Sequence, residues 1–193
     1  MKRIYIYIIG VVLVVAAAAG ILIARENSQD HTDKAGSANK SAAIDRSTAF
    51  PNIKACNIFS LADAKQVLGD SAKGGASGAS SSSSDLEVSA CSYSQSSGAS
   101  APVSATKSAS LLVRAPKTGA GTTSNQKQFG QLKPTGSEPV PGYGDNAYWD
   151  PQLGQLDILK NNAWYILSNG PITPAERTLD QAKTLADLLI NKM

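Results

Sequence analysis

Few residues of this 193-residue chain combine the types and spacing that catalysis requires. Ser104-Ala105-Thr106-Lys107 and Lys117-Thr118-Gly119 match the S-x-x-K and K-T-G fragments of enzymes that use a serine nucleophile. The S-D-N element that completes such a site is missing. Ser37-Ala38-Asn39-Lys40 repeats the first fragment within a polar stretch, so the matches read as products of Ser/Ala-rich composition. His31 is the sole histidine, which excludes a His-based triad within this chain. Asp145, Asp150 and Asp157 carry oxygens suited to calcium but lack EF-hand spacing. No catalytic residue, cofactor-binding residue or metal ligand is therefore assigned.

The segment around Gly142-Tyr143-Gly144-Asp145 supports two readings. As a ligand-facing loop it would present Tyr143, Asp145, Tyr148 and Trp149. As a turn, its glycines supply positive φ before a strand and Asp145 bonds nearby backbone. The turn reading explains the residue types by itself. A phosphate cradle is not supported, because no third glycine and no following helix are present. Trp149, Trp164, Tyr143, Tyr148 and Tyr165 crowd one region, where aromatics mostly build core.

Cys56 and Cys91 are the only cysteines. Without a CxxC spacing or a neighbouring histidine they make a poor zinc site. In an exported chain the pair is expected to form a disulfide. Export is itself predicted from residues 4–23, an uncharged apolar or small run. Twenty helical residues span about 30 Å, the thickness of a bilayer's hydrocarbon core. Lys2 and Arg3 make the short N-terminal flank positive, which places the N-terminus in the cytoplasm and the remainder outside. The competing reading is a cleaved signal peptide with its cleavage site in the alanines at 16–19. The expected organisation is an anchor at 1–24, a flexible polar linker at 25–49 and an extracytoplasmic domain at 50–193. That domain carries twelve Lys/Arg against eleven Asp/Glu, with no basic cluster, which argues against a nucleic-acid partner. The expected partners are membrane lipid, through the first helix, and an envelope protein or small ligand.

The elements that must position these residues follow from pattern. Ser60 and Asp63 form an S-x-x-D capping box that opens a helix over 61–68, with Gly69 as its stop. Residues 71–84, rich in Ser and Gly, read as a mobile loop, and 96–104 and 118–124 as milder versions. Strands are predicted over 86–94, 108–115, 147–149, 155–160 and 163–168. A short helix over 125–132 would turn Phe129 and Leu132 inward, and 134–141 reads as a loop. Asn161-Asn162 is a two-residue hairpin turn, since Asn tolerates positive φ. Leu156, Ile158 and Lys160 share one face, with Asp157 and Leu159 on the other. Thr173, Pro174 and Glu176 are expected to open the last helix, whose stripe is Leu179, Ala182, Leu185, Ala186, Leu189 and Ile190. The sum is an α+β fold, an antiparallel meander packed by a short N-terminal and a long C-terminal helix.

Three segments together resemble a family of small exported lipoprotein domains of unknown function common in actinobacteria. They are Ala55-Cys56-Asn57-Ile58-Phe59-Ser60-Leu61 leading to Leu68-Gly69, then Ala90-Cys91-Ser92-Tyr93, then the run from Val140 to Trp149 with its Gly-x-Gly-Asp-x-Ala core. The resemblance implies a secreted α+β domain, a bond between the two cysteines and no assigned enzymatic activity. The chain departs from that family in having no lipid-accepting cysteine after its apolar run.

Overall fold

The computed structural model describes Phe50, residues 52–95 and residues 106–193. The predicted anchor at 4–23, the linker at 25–49 and the stretch 96–104 lie outside the described residues. Among the described residues, no helix is long and apolar enough to cross a membrane.

The fold is α+β, built on one antiparallel sheet. Its strands are β1 (Lys73–Ser82), β2 (Leu86–Gln95), β3 (Lys107–Pro116), β4 (Glu138–Pro139), β5 (Asn146–Asp150), β6 (Gln155–Lys160) and β7 (Ala163–Pro171). They lie in the order β1-β2-β3-β7-β6-β5-β4. Two hairpin meanders therefore meet where β3 pairs with β7, Leu111 opposite Leu167. The β6–β7 hairpin turns on Asn161 (φ 51°) and Asn162 (φ 66°), the left-handed pair that a tight right-twisting hairpin needs.

Helices α1 (Ala55–Ile58), α2 (Leu61–Leu68) and α4 (Leu179–Leu189) cover the inner face. Alternation along the strands delivers Cys91, Tyr93, Leu111, Val113, Leu156, Ile158, Tyr165 and Leu167 to that side, all buried. Ala182, Leu185, Ala186 and Leu189 of α4 meet them at helical spacing. Ser60 caps α2, accepting from the Asp63 N–H, and Asp63 accepts from the Ser60 N–H in return. Lys192 then reaches back to Asp63 at 2.6 Å, joining the C-terminus to α2. Cys56 of α1 is bonded to Cys91 of β2, with Cα atoms 5.1 Å apart.

Four expectations need correction. Residues 73–82, read as part of a mobile loop, form strand β1 along β2, with Lys73 opposite Ser94 and Ser82 opposite Glu87. Backbone pairing with β2 holds this strand, and a glycine or alanine has no side-chain rotamer freedom to lose on ordering. The predicted helix at 125–132 is longer and takes in the stretch 118–124, read as a loop: it is α3 (Gly119–Gln131), capped by the Thr118 hydroxyl accepting from the Gly121 N–H. Its Phe129 is buried as expected, but Leu132 is 56% exposed. The last helix starts not at Thr173 but after Thr178. Thr178 and Gln181 form a reciprocal capping box, while Pro174–Glu176 is a single 3-10 turn. Finally, Glu138–Pro139 within the predicted 134–141 loop pairs with β5.

Candidate functional site

Both glycines of the 142–145 segment have positive φ, 92° at Gly142 and 62° at Gly144. A Cβ on Gly144 would meet the Leu159 carbonyl oxygen at 2.5 Å. Asp145 accepts from the Asn161 N–H at 3.0 Å and donates its own N–H to Leu159 O at 2.7 Å. Tyr143 donates its hydroxyl to Asp187 of α4 at 2.7 Å. Burial and that hydrogen bond push the Tyr143 hydroxyl up to about 12. The loop thus stitches the β6–β7 turn and α4 together. Tyr148 (2% exposed) and Trp149 (4%) follow it on opposite faces of β5 and belong to different apolar clusters. The four residues of the proposed ligand-facing loop do not converge on one surface.

The outer face of the sheet carries a second, smaller core with polar members. Phe129 of α3 packs its ring 4.9 Å from Tyr148 and 5.7 Å from Trp164. Asp157, opposite Tyr148 in the β5–β6 pair, is 5% exposed and accepts from the Trp164 indole N–H at 2.7 Å. Burial is the main force on its carboxyl and raises it to about 7. The indole hydrogen bond opposes that rise, and the nearby Asp150 carboxylate adds to it. Arg114 of β3 lies 5.0 Å over the Trp164 ring and donates to Gln128 of α3 at 2.8 Å. Lys133 lies 5.6 Å over Tyr148. Asp150 is likewise buried, spent on the Gln152 and Leu153 N–H groups of its own turn. The sequence signal for Asp157 was a lone carboxylate inside a strand of otherwise apolar alternation. Nothing in the sequence announced that α3 would cover it.

A cleft of about 300 Å³ opens at the other side of the fold. Phe50, Asn52 and Ile53 of the extended arm before α1 form one wall. Glu87 of β2 and Ala115, Pro116 and Lys117 at the end of β3 form the other. Glu87 is opposite Ala115 in the β2–β3 ladder. Lys117 continues that ladder, donating its backbone N–H to Asp85 O at 2.7 Å. Its ammonium donates to Ser82 Oγ at 3.1 Å and Ser83 O at 2.8 Å. Glu87 has Lys54 at 3.5 Å. This cleft joins three segments that lie far apart in the chain, so no local spacing foretold it.

Lys107 and Lys117, the two lysines of the S-x-x-K and K-T-G fragments, sit at opposite ends of the β3 segment. Ten residues of strand separate them by roughly 33 Å, so they share no site. Ser104 lies outside the described residues. Among those residues, no group of three or more His, Cys, Asp or Glu is placed to hold a metal ion.

No protein-family model matches the chain, and no curated protein or solved structure matches it significantly either.

Proposed function

We propose that this chain is a membrane-anchored extracytoplasmic binding module, non-enzymatic, that holds an envelope protein or a small ligand. The observation that carries the reading is the Cys56–Cys91 disulfide. Cytosolic thiols are kept reduced, whereas such a bond persists on the oxidising side of a membrane. The uncharged run at residues 4–23 supplies an anchor long enough to reach that side. The resemblance to exported domains of unknown function points the same way, with a spanning helix in place of the family's lipid. A binding role is favoured over chemistry because three perturbed ionisable groups, Asp157, Asp63 and Tyr143, are engaged structurally. Asp157 accepts from Trp164, Asp63 from Lys192, and Tyr143 donates to Asp187.

The test uses the full chain with a C-terminal tag, expressed in a bacterium. It is expected to sediment with membranes, resist extraction by salt, and be digested by protease added outside spheroplasts. Its thiols are expected to resist a maleimide reagent until a reductant is added. Soluble cytoplasmic protein with both thiols open to alkylation would overturn the proposal.

A further inference from the structure

Helix α3 is weakly fastened over the outer face of the sheet. Its buried stripe is Gly121, Asn125 and Phe129, so a single large apolar side chain anchors the whole helix. The corresponding stripe of α4 has Leu185 and Leu189 besides two alanines. The other ties of α3 are polar. Asn125 donates its amide to the Arg114 and Asn162 carbonyls, at 2.8 and 3.0 Å. Arg114 donates to Gln128, and Gln126 donates to Asn162 Oδ1 at 3.1 Å. Asn125 Oδ1 and Arg114 Nε are buried in this layer and find no hydrogen-bond partner among the described residues. Water would satisfy both, so each lowers the cost of lifting the helix. The N-terminal end is tied more firmly. Thr118 donates its hydroxyl to Asp85 Oδ1 at 2.6 Å, and Lys117 donates its N–H to Asp85 O. Phe129 lies about three turns further on, so that end can part from the sheet while the Thr118 end stays tied.

What lies beneath Phe129 sets the condition for parting. Its ring packs against Tyr148 and Trp164, the two rings that flank Asp157. Asp157 is buried and forms no ion pair among the described residues. From β5 come the Asp150 carboxylate, which repels a charge on Asp157, and the Tyr148 hydroxyl. From β7 comes the uncharged Trp164 indole. Arg114 of β3 is engaged with the Trp164 ring and Gln128, and Lys133 lies over the Tyr148 ring. Lys160 of β6 itself donates to Ile190 O. The sole titratable side chain of α3 is Lys127, which is exposed. An ionised Asp157 under α3 therefore has no counter-charge bonded to it and is stabilised by reaching water. Burial already raises its carboxyl to about 7, against an ordinary 3.8 in water.

We propose that α3 is a pH-operated cover, closed on the outer aromatic cluster while Asp157 is protonated and detached from it once that carboxyl ionises, baring Phe129, Tyr148 and Trp164. Three of its thirteen residues are glycines, and a free helix of that length is marginal in water. The detached segment therefore unwinds and opens its amides to exchange. Opening releases the Asp157 proton, so the open fraction grows as pH rises from the ordinary carboxylate range to about 7 and levels off above, where both forms are ionised. The cover operates on either side of a membrane, so its failure leaves the membrane-anchored reading untouched.

Amide hydrogen exchange of the full chain in detergent micelles, followed by mass spectrometry from about pH 5 to 9 and corrected for the intrinsic pH dependence of exchange, is the test. Protection across α3 is expected to fall about tenfold per pH unit up to about pH 7 and then hold level, one proton being released per opening. The amides of β3 are expected to keep about tenfold or more protection over α3 throughout, which separates local opening from global unfolding. Asp157→Asn is expected to remove the slope across α3. The profile of the unaltered chain decides by itself where that variant fails to fold. Protection of α3 that ignores pH would overturn the inference. Equal protection of α3 and β3 at every pH would do so too, as would an unchanged slope in folded Asp157→Asn.

Discussion

Asp157 is a carboxyl held in a small core between Tyr148 and Trp164, and that position ties stability to pH. Burial penalises its charged form, and hydrogen bonding from the Trp164 indole N–H and the Tyr148 hydroxyl compensates only in part. In the unfolded chain it titrates near the ordinary 3.8, in the fold near 7. Between those values the folded state holds more protons than the unfolded one, so stability falls as pH rises. The contribution is fully present below the unfolded pKa, lost through about 7 and flat above it. Three units correspond to about 4 kcal/mol. Asp63 works in the opposite sense. Burial acts to raise its carboxyl, but hydrogen bonds from Lys192 and Ser60 outweigh that and hold it below 3.8. Its contribution is present above the ordinary carboxylate range and lost as pH drops through its lowered value. Urea melts at a series of pH values are therefore expected to show greatest stability in mild acid and a decline toward neutrality. Asp157→Asn is expected to remove that decline, since an amide oxygen still accepts from Trp164. A variant retaining the full slope would place the titration elsewhere. Gly144 poses a backbone case. With φ at 62° and the Leu159 oxygen 2.5 Å from a would-be Cβ, Gly144→Ala is expected to lower stability by about 2 kcal/mol in the same melts.

Elements were legible where side chains alone decide their ends. The Ser60–Asp63 box, the Asn161-Asn162 turn and the stripe from Ala182 to Leu189 all appear as the sequence indicates. Two neighbouring threonines show where such reading fails. Thr173 has a helix-opening pattern with Pro174 and Glu176, yet its side chain makes no capping hydrogen bond. Thr178 wins because Gln181 answers it reciprocally and because Arg177 first donates to the Pro171 and Ile172 carbonyls, fixing the entry to the helix. Thr178→Ala is expected to cost about 1 kcal/mol. Thr173→Ala should stay within about 0.5 kcal/mol of the parent, and equal losses at both sites would contradict this assignment. Strand β1 and the first turns of α3 were illegible for a different reason. Their Ser, Gly and Thr side chains carry no periodic apolar signal, and the order comes from backbone pairing with β2 and from the Thr118 cap. Such order is a property of the neighbour, so composition cannot display it.

For the whole molecule, the α+β class and the antiparallel sheet could be read from the chain, whereas the joining of the two meanders through β3 and β7 could not, because strand order is a nonlocal choice. The candidate sites divide in the same way. The 142–145 loop was visible as a motif, and the cleft beside Glu87 only after folding. The disulfide fixes α1 to β2 within the first meander, and it closes a loop across a sequence separation of 35. In the chain-entropy model a loop of that size stabilises the fold by ~4 kcal/mol. Reduction under native conditions is expected to lower the melting temperature by roughly 10 °C, given about 2–4 °C per kcal/mol for a domain approaching 150 residues. A melt unmoved by reductant would mean that packing alone holds α1 in place.

That closed loop includes all of α2 and β1. A peptide bond cut anywhere between the two half-cystines leaves both fragments covalently joined. On a gel run without thiol, a clipped molecule would migrate near its intact mass; with thiol, it would part into two bands. Cleavage of the serine-rich edge strand would thus escape notice in any assay that omits a reducing agent, and a preparation judged homogeneous by that means could already be nicked.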